Sequence, residues 1–87
     1  MSRPSWTLYI KPRCPWCAQA IEYLNEHGYD FDPVDVIRDA AAYERMKKLS
    51  GQRLTPTLVI GDDGLLLADF DTGQLEKFLL KHDLKPG

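Results

Sequence analysis

Cysteine is scarce in this chain, at 2 of 87 residues. Two thiols cannot build the multi-bridge framework that holds small secreted scaffolds together. The expected address is therefore the reducing cytoplasm, where such a pair is catalytic or metal-binding rather than structural. Long apolar runs are missing too. Leu65-Leu66-Leu67-Ala68 is only four residues long, against about 20 needed to span a bilayer. The start, Met1 to Trp6, has no apolar stretch of the kind that marks a secretory signal. A basic excess is also lacking, since 11 Lys and Arg face 13 Asp and Glu for a net charge of −2. The longest basic run is Lys47-Lys48. Neither a membrane nor a nucleic acid is an expected partner. Repeats, low-complexity tracts and linkers are absent.

What remains is ordinary globular material, 44% hydrophobic and 28% charged, close to the average of folded domains. The length suits one domain, residues 1–87, expected to be monomeric. So short a chain has no room for a second core, and its substrate must meet it at the surface. Ser5 to Ile10 alternates as a strand, with Trp6, Leu8 and Ile10 on one face and Thr7 and Tyr9 on the other. Pro15 is placed to open a helix carrying Cys17, Ala20, Ile21 and Leu24, which Gly28 stops. Phe31, Val34 and Val36 mark a second strand, and Pro33 assigns it to an edge. Asp39 caps a second helix with Ala42, Tyr43, Met46 and Leu49, ended by Gly51. Thr57 to Ile60 and Leu65 to Ala68 form a hairpin about the Gly61-Asp62-Asp63-Gly64 turn. Asp71 and Gln74 form a capping box for a third helix that buries Leu75, Phe78, Leu79 and His82. The order is β-α-β-α-β-β-α. Its first three elements should make a parallel, right-handed unit, giving an α/β fold with helices on both faces of a mixed sheet.

The chemistry concentrates in Cys14-Pro15-Trp16-Cys17. Cysteines three apart at a helix start bring both sulfurs to one end. Cys14, near the cap, faces unpaired backbone N–H groups and the positive end of the helix dipole, with Lys11 and Arg13 nearby. All of these favour its thiolate. Cys17, one turn inside, should be more buried and less acidic. Such asymmetry serves dithiol exchange, in which one thiolate attacks a disulfide and the second thiol resolves the mixed disulfide. Zinc would need about four ligands, and no second cysteine pair exists. A bridge closing so small a loop would add little stability. Thr55-Pro56 forms a second signal, at the start of the third strand. A cis bond there would turn the main chain of Thr55 toward an extended substrate.

Tyr9-Ile10-Lys11-Pro12-Arg13-Cys14-Pro15-Trp16-Cys17 resembles the active-site segment of the glutaredoxin family. Ser50-Gly51-Gln52-Arg53-Leu54-Thr55-Pro56-Thr57-Leu58-Val59-Ile60 resembles the family's Ser-Gly-Arg-Arg-Thr-Val-Pro stretch, without gaps. The likeness runs from Trp6 to Leu80. It implies a thioredoxin fold, a four-stranded mixed sheet with three helices, and a cis bond before Pro56. It also implies a thiol–disulfide oxidoreductase with Cys14 as nucleophile and Cys17 as resolving thiol. Glutathione would be the co-substrate, with no bound cofactor and no metal. Lys11, Trp16, Arg53, Thr55, Pro56, Asp71 and Thr72 would line the glutathione or substrate site, and disulfide-containing proteins would be the targets. One family motif is altered. Ala68-Asp69 stands where the family carries Gly-Gly, adding bulk and negative charge beside an anionic tripeptide. Two other readings stand beside this one, the first favoured by that departure and the second weakened by it and by Pro15 and Trp16. One is a redoxin recharged by thioredoxin reductase that serves one protein, such as ribonucleotide reductase. The other is an iron–sulfur module in which Cys14 of two chains bridges a cluster with two glutathiones.

Overall fold

The computed structural model describes residues 6–61 and 65–84. Its elements are β1 (Trp6–Ile10), α1 (Pro15–Glu26), β2 (Asp32–Asp35), α2 (Ala40–Ser50), β3 (Thr57–Ile60), β4 (Leu65–Ala68) and α3 (Thr72–Lys81). The expected order is therefore observed. Ser5 and the Asp62-Asp63-Gly64 part of the hairpin turn lie outside the described residues. The strands form one sheet in the order β2-β1-β3-β4. β1 and β2 pair parallel, while β1–β3 and β3–β4 pair antiparallel. Pro33 does sit on an edge strand, where its missing donor costs no ladder bond inside the sheet.

The period-two pattern of the strands sorts residues to two faces. Leu8, Leu58 and Ile60 meet Ala20 and Leu24 of α1 and Leu75 and Leu79 of α3, forming the larger core. Tyr9 and Val36 meet Ala42 and Met46 of α2 on the other face. Asp39 accepts the Ala42 amide at 3.1 Å as the cap of α2, and Gly51 ends that helix at φ 71°. There glycine avoids the steric penalty of a left-handed backbone. The Asp71–Gln74 capping box is present, with both reciprocal bonds made.

Two expected core positions prove to be outside it. Leu49 is 52% exposed, in the last turn of α2, beyond the buried Ala42 and Met46. His82 is exposed at the C-cap of α3, its ring 4.7 Å from that of the half-buried Phe78. Val36 is buried although it follows the end of β2. Leu75 is fully buried, so Leu75→Ala should cost about 2–5 kcal/mol. Leu49→Ala should change stability by no more than about 0.5 kcal/mol, as at an ordinary surface position. Urea midpoints of the two variants test the contrast, and equal losses would contradict it.

Candidate active site

The site is built where β1 runs into α1. Lys11, Pro12 and Arg13 make the turn, and Arg13 takes the left-handed conformation at φ 61°. Cys14 then occupies the N-cap of α1 in an extended conformation, and Pro15 follows at the first helical position. Proline is well tolerated there, because that amide has no helical acceptor to lose. As cap, the Cys14 sulfur accepts the Cys17 amide at 3.3 Å. A cysteine thus stands where serine or aspartate commonly does. Cys14 is half-buried and Cys17 buried, and both are free thiols.

The loop before β3 supplies the second wall. The Thr55–Pro56 bond is cis. The Thr55 hydroxyl lies 3.8 Å from the Cys14 sulfur, which in turn lies 4.0 Å from the Thr55 carbonyl oxygen. These contacts set the acidities of the two thiols. Partial burial opposes ionisation of Cys14, but hydrogen bonds from Cys17, Thr55 and the Trp16 amide outweigh it and lower its pKa. Cys17 moves the other way. Burial raises its pKa first, followed by its hydrogen bond to Cys14 and repulsion from the Cys14 charge. The asymmetry expected from the motif is present. The amides of the helix start favour the Cys14 thiolate as the motif implies, the Thr55 hydroxyl adds to them, and neither Lys11 nor Arg13 is among the groups that shift it. Lys11 sends its ammonium to the Arg53 carbonyl oxygen at 3.3 Å and lies 5.9 Å from the centre of the Tyr43 ring.

The other expected site residues divide. Trp16 is an exposed lip, at 51% of its surface. Pro56 is buried, and its carbonyl oxygen accepts the Asp69 amide at 2.9 Å. That bond ties the loop to the chain entering α3. Arg53 contributes its carbonyl to the site while its side chain is exposed. Asp71 accepts the Gln74 amide at 2.8 Å and gives its own amide to Gln74 at 3.0 Å, so its carboxylate serves as a cap. Thr72 opens α3. Trp16, Asp69, Phe70, Asp71 and Gln74 line a recess of about 200 Å³. Asp69 is at φ 52°. The backbone shape that glycine would favour is kept there by an acidic residue.

Sequence reasoning missed Gln52 and Thr57. Thr57 is fully buried. Its hydroxyl donates to the Leu54 carbonyl at 2.8 Å and accepts from the Gln52 amide at 2.9 Å. Gln52 also donates to Ser50 at 3.0 Å and accepts the Leu54 amide. Together they fix the loop that presents Thr55. One trace of this was visible beforehand, a glutamine where the resembled stretch has arginine. Among the described residues no group of three or more His, Cys, Asp or Glu is arranged to hold a metal ion.

The glutaredoxin family model matches residues 6–65. The chain belongs to the glutaredoxin family. It is 36% identical to a glutaredoxin-like 8.6 kDa protein encoded in the rubredoxin operon of Clostridium pasteurianum, across 85% of this chain and 96% of that one. The fold matches the thioredoxin-like protein BC3987 with a TM-score of 0.76 at 33% identity, covering 86% of this chain and all of that one. It also matches the glutaredoxin-like NrdH-redoxin of Escherichia coli, described as having a thioredoxin-like activity profile. There the TM-score is 0.70 at 25% identity, over 84% and 92% of the two chains. The protein is a glutaredoxin-type thiol–disulfide oxidoreductase.

The opposed shifts predict the order of alkylation. Iodoacetamide reacts with thiolate, so the Cys14 rate should rise with a midpoint below that of an ordinary thiol, and Cys17 should lag. Thr55→Val removes a donor to the Cys14 sulfur and should move the Cys14 midpoint upward, slowing its alkylation at neutral pH. Mass spectrometry across a pH series reads both, and faster labelling of Cys17 would contradict the assignment.

Proposed function

We propose that the protein reduces protein and glutathione mixed disulfides with electrons taken from glutathione in the cytoplasm. The observation that carries this reading is the meeting of the Cys14 sulfur with the main chain and hydroxyl of Thr55. Cys14, as the more acidic and more exposed thiol, attacks one sulfur of the substrate disulfide. The other sulfur leaves as thiolate and is protonated. Cys17 then attacks the Cys14 sulfur, releasing the bound half as a thiol and leaving Cys14–Cys17 oxidised. Two glutathione molecules restore the dithiol and leave as glutathione disulfide. The tripeptide would lie along Thr55 and Pro56, with Lys11 and Arg53 at its glycine carboxylate and Trp16 over its body. Its γ-glutamyl end would reach Asp71 and Thr72, where the start of α3 favours a carboxylate. No resident metal or cofactor takes part.

A second reading, reduction by thioredoxin reductase, is favoured by Asp69. Its charge and left-handed backbone lie in the wall that the tripeptide would touch. The thioredoxin-like activity described for the Escherichia coli NrdH-redoxin is in keeping with it. A coupled assay separates the two. Glutathione with its reductase should sustain turnover, and thioredoxin reductase should not. The redox equilibrium should fall at roughly −200 to −230 mV rather than at about −270 mV. Ala68→Gly with Asp69→Gly should lower the KM for glutathione several-fold. Rapid turnover with thioredoxin reductase and no effect of the glycines would decide for the second reading.

The two thiols have separable tasks. Cys17→Ser should lose reduction of protein disulfides yet keep turnover of glutathionylated substrates, since external glutathione can resolve the mixed disulfide. Cys14→Ser should lose both. Residual activity of Cys14→Ser in either assay would refute its role, because the chain has no third cysteine.

A further inference from the structure

An open groove of about 370 Å³ borders the dithiol, lined by Ile10, Lys11, Arg13, Cys14, Pro15, Cys17, Ala18 and Ile21. It shares no residue with the recess of Trp16, Asp69, Phe70, Asp71 and Gln74. Its volume lies in the range of ligand clefts, about 300–1,000 Å³. Ile10, Pro15, Ala18 and Ile21 make much of its wall apolar, with the cationic side chains of Lys11 and Arg13 among its lining. Neither the dithiol chemistry nor the proposed tripeptide path needs these apolar walls.

We infer that this groove receives an apolar side chain adjacent to the attacked cysteine of a protein disulfide, with an acidic residue of the same segment facing Lys11 and Arg13. The inference rests on the reading that Cys14 attacks. A substrate sulfur bonded to Cys14 is held at a disulfide distance of about 2.05 Å. Cys14 is itself part of the groove wall, so the residues flanking that substrate cysteine are brought to the groove's mouth. An aliphatic or aromatic neighbour gains by leaving water there. Glutathione has only a glycine on one side and a γ-linked glutamate on the other, with no apolar side chain to place. The groove thus separates protein targets from the small thiol. The cations add selectivity for an acidic neighbour, in a form that salt should weaken because Arg13 is exposed.

The test uses the reduced full-length protein, freed of reductant, in single-turnover mixing with symmetric peptide disulfides. Each peptide is five residues long, capped at both ends, with Leu or Gly on both sides of a central cysteine. Each rate is divided by the same peptide's rate with dithiothreitol, which removes intrinsic reactivity. The Leu peptide should react about tenfold faster than the Gly peptide, a discrimination usual for filling an apolar pocket. With Leu kept, outer Glu residues should give faster reaction than outer Lys residues at low salt, and the gap should close at high salt. Ala18→Phe fills the groove from an exposed helix position and should bring the Leu-to-Gly ratio to near one. Arg13→Glu should reverse the charge preference. A ratio near one in the unaltered protein would overturn the inference, as would a Leu preference that survives Ala18→Phe. Reaction by Cys14→Ser would instead overturn the underlying role of Cys14, and because the Cys14–Cys17 dithiol is the sole electron donor in the mixture, the outcome is independent of glutathione use.

Discussion

The hydrogen bond from the Cys17 amide to the Cys14 sulfur joins reactivity to architecture. It exists because β1 delivers the chain to a helix start with Cys14 in the cap position and Pro15 just after it. The first amides of any helix lack acceptors within it, and here a sulfur takes one of them. An ionised sulfur accepts more strongly than a neutral one, so the helix favours the reactive form. The same geometry sets Cys17 one turn inward, where burial holds its proton. The opposed acidities of the pair therefore come from one helix end, with Thr55 adding its hydroxyl from across the site.

That contribution depends on a loop with little regular structure of its own. Ser50, Gln52, Leu54 and Thr57 bond to one another and hold the segment before β3. Losing the Gln52 side chain would leave the buried Thr57 hydroxyl short of a donor, and the Leu54 amide short of an acceptor. From there the Asp69 amide ties the loop to the start of α3 through Pro56. The three walls of the site are thus linked by main-chain and side-chain bonds, and only one of them, at Asp69, departs from the family's glycines.

The regular elements were legible because their signals are local. Alternation in Trp6 to Ile10, the Asp39 and Asp71 caps, and Gly51 in a left-handed conformation act over a few residues and reappear in the structure. The dithiol was legible for the same reason, since its spacing alone brings the two cysteines to one helix end. Leu49 was misread because helical spacing says which residues share a face, and not which turns of that face are covered. The helix-start amides that favour the Cys14 thiolate were legible from the motif, and Lys11 and Arg13 were added to them because nearby charges are visible in a sequence. The hydroxyl that residue 55 brings to residue 14 is not visible there. Gln52 and Thr57 were missed because neither residue type marks a brace until the loop has closed around them.

The two edges of the sheet are not equivalent. β2 presents Pro33, which has no N–H to offer, between Asp32 and Asp35. A strand approaching from that side would lose a donor and meet negative charge. β4, at the opposite edge, is Leu65-Leu66-Leu67-Ala68, without proline or charge. Open-ended stacking of sheets requires two receptive edges on every molecule, whereas one receptive edge can be satisfied by a single symmetric pairing. Blocking β2 therefore limits edge-to-edge association to a closed pair and removes the route by which chains would add without end.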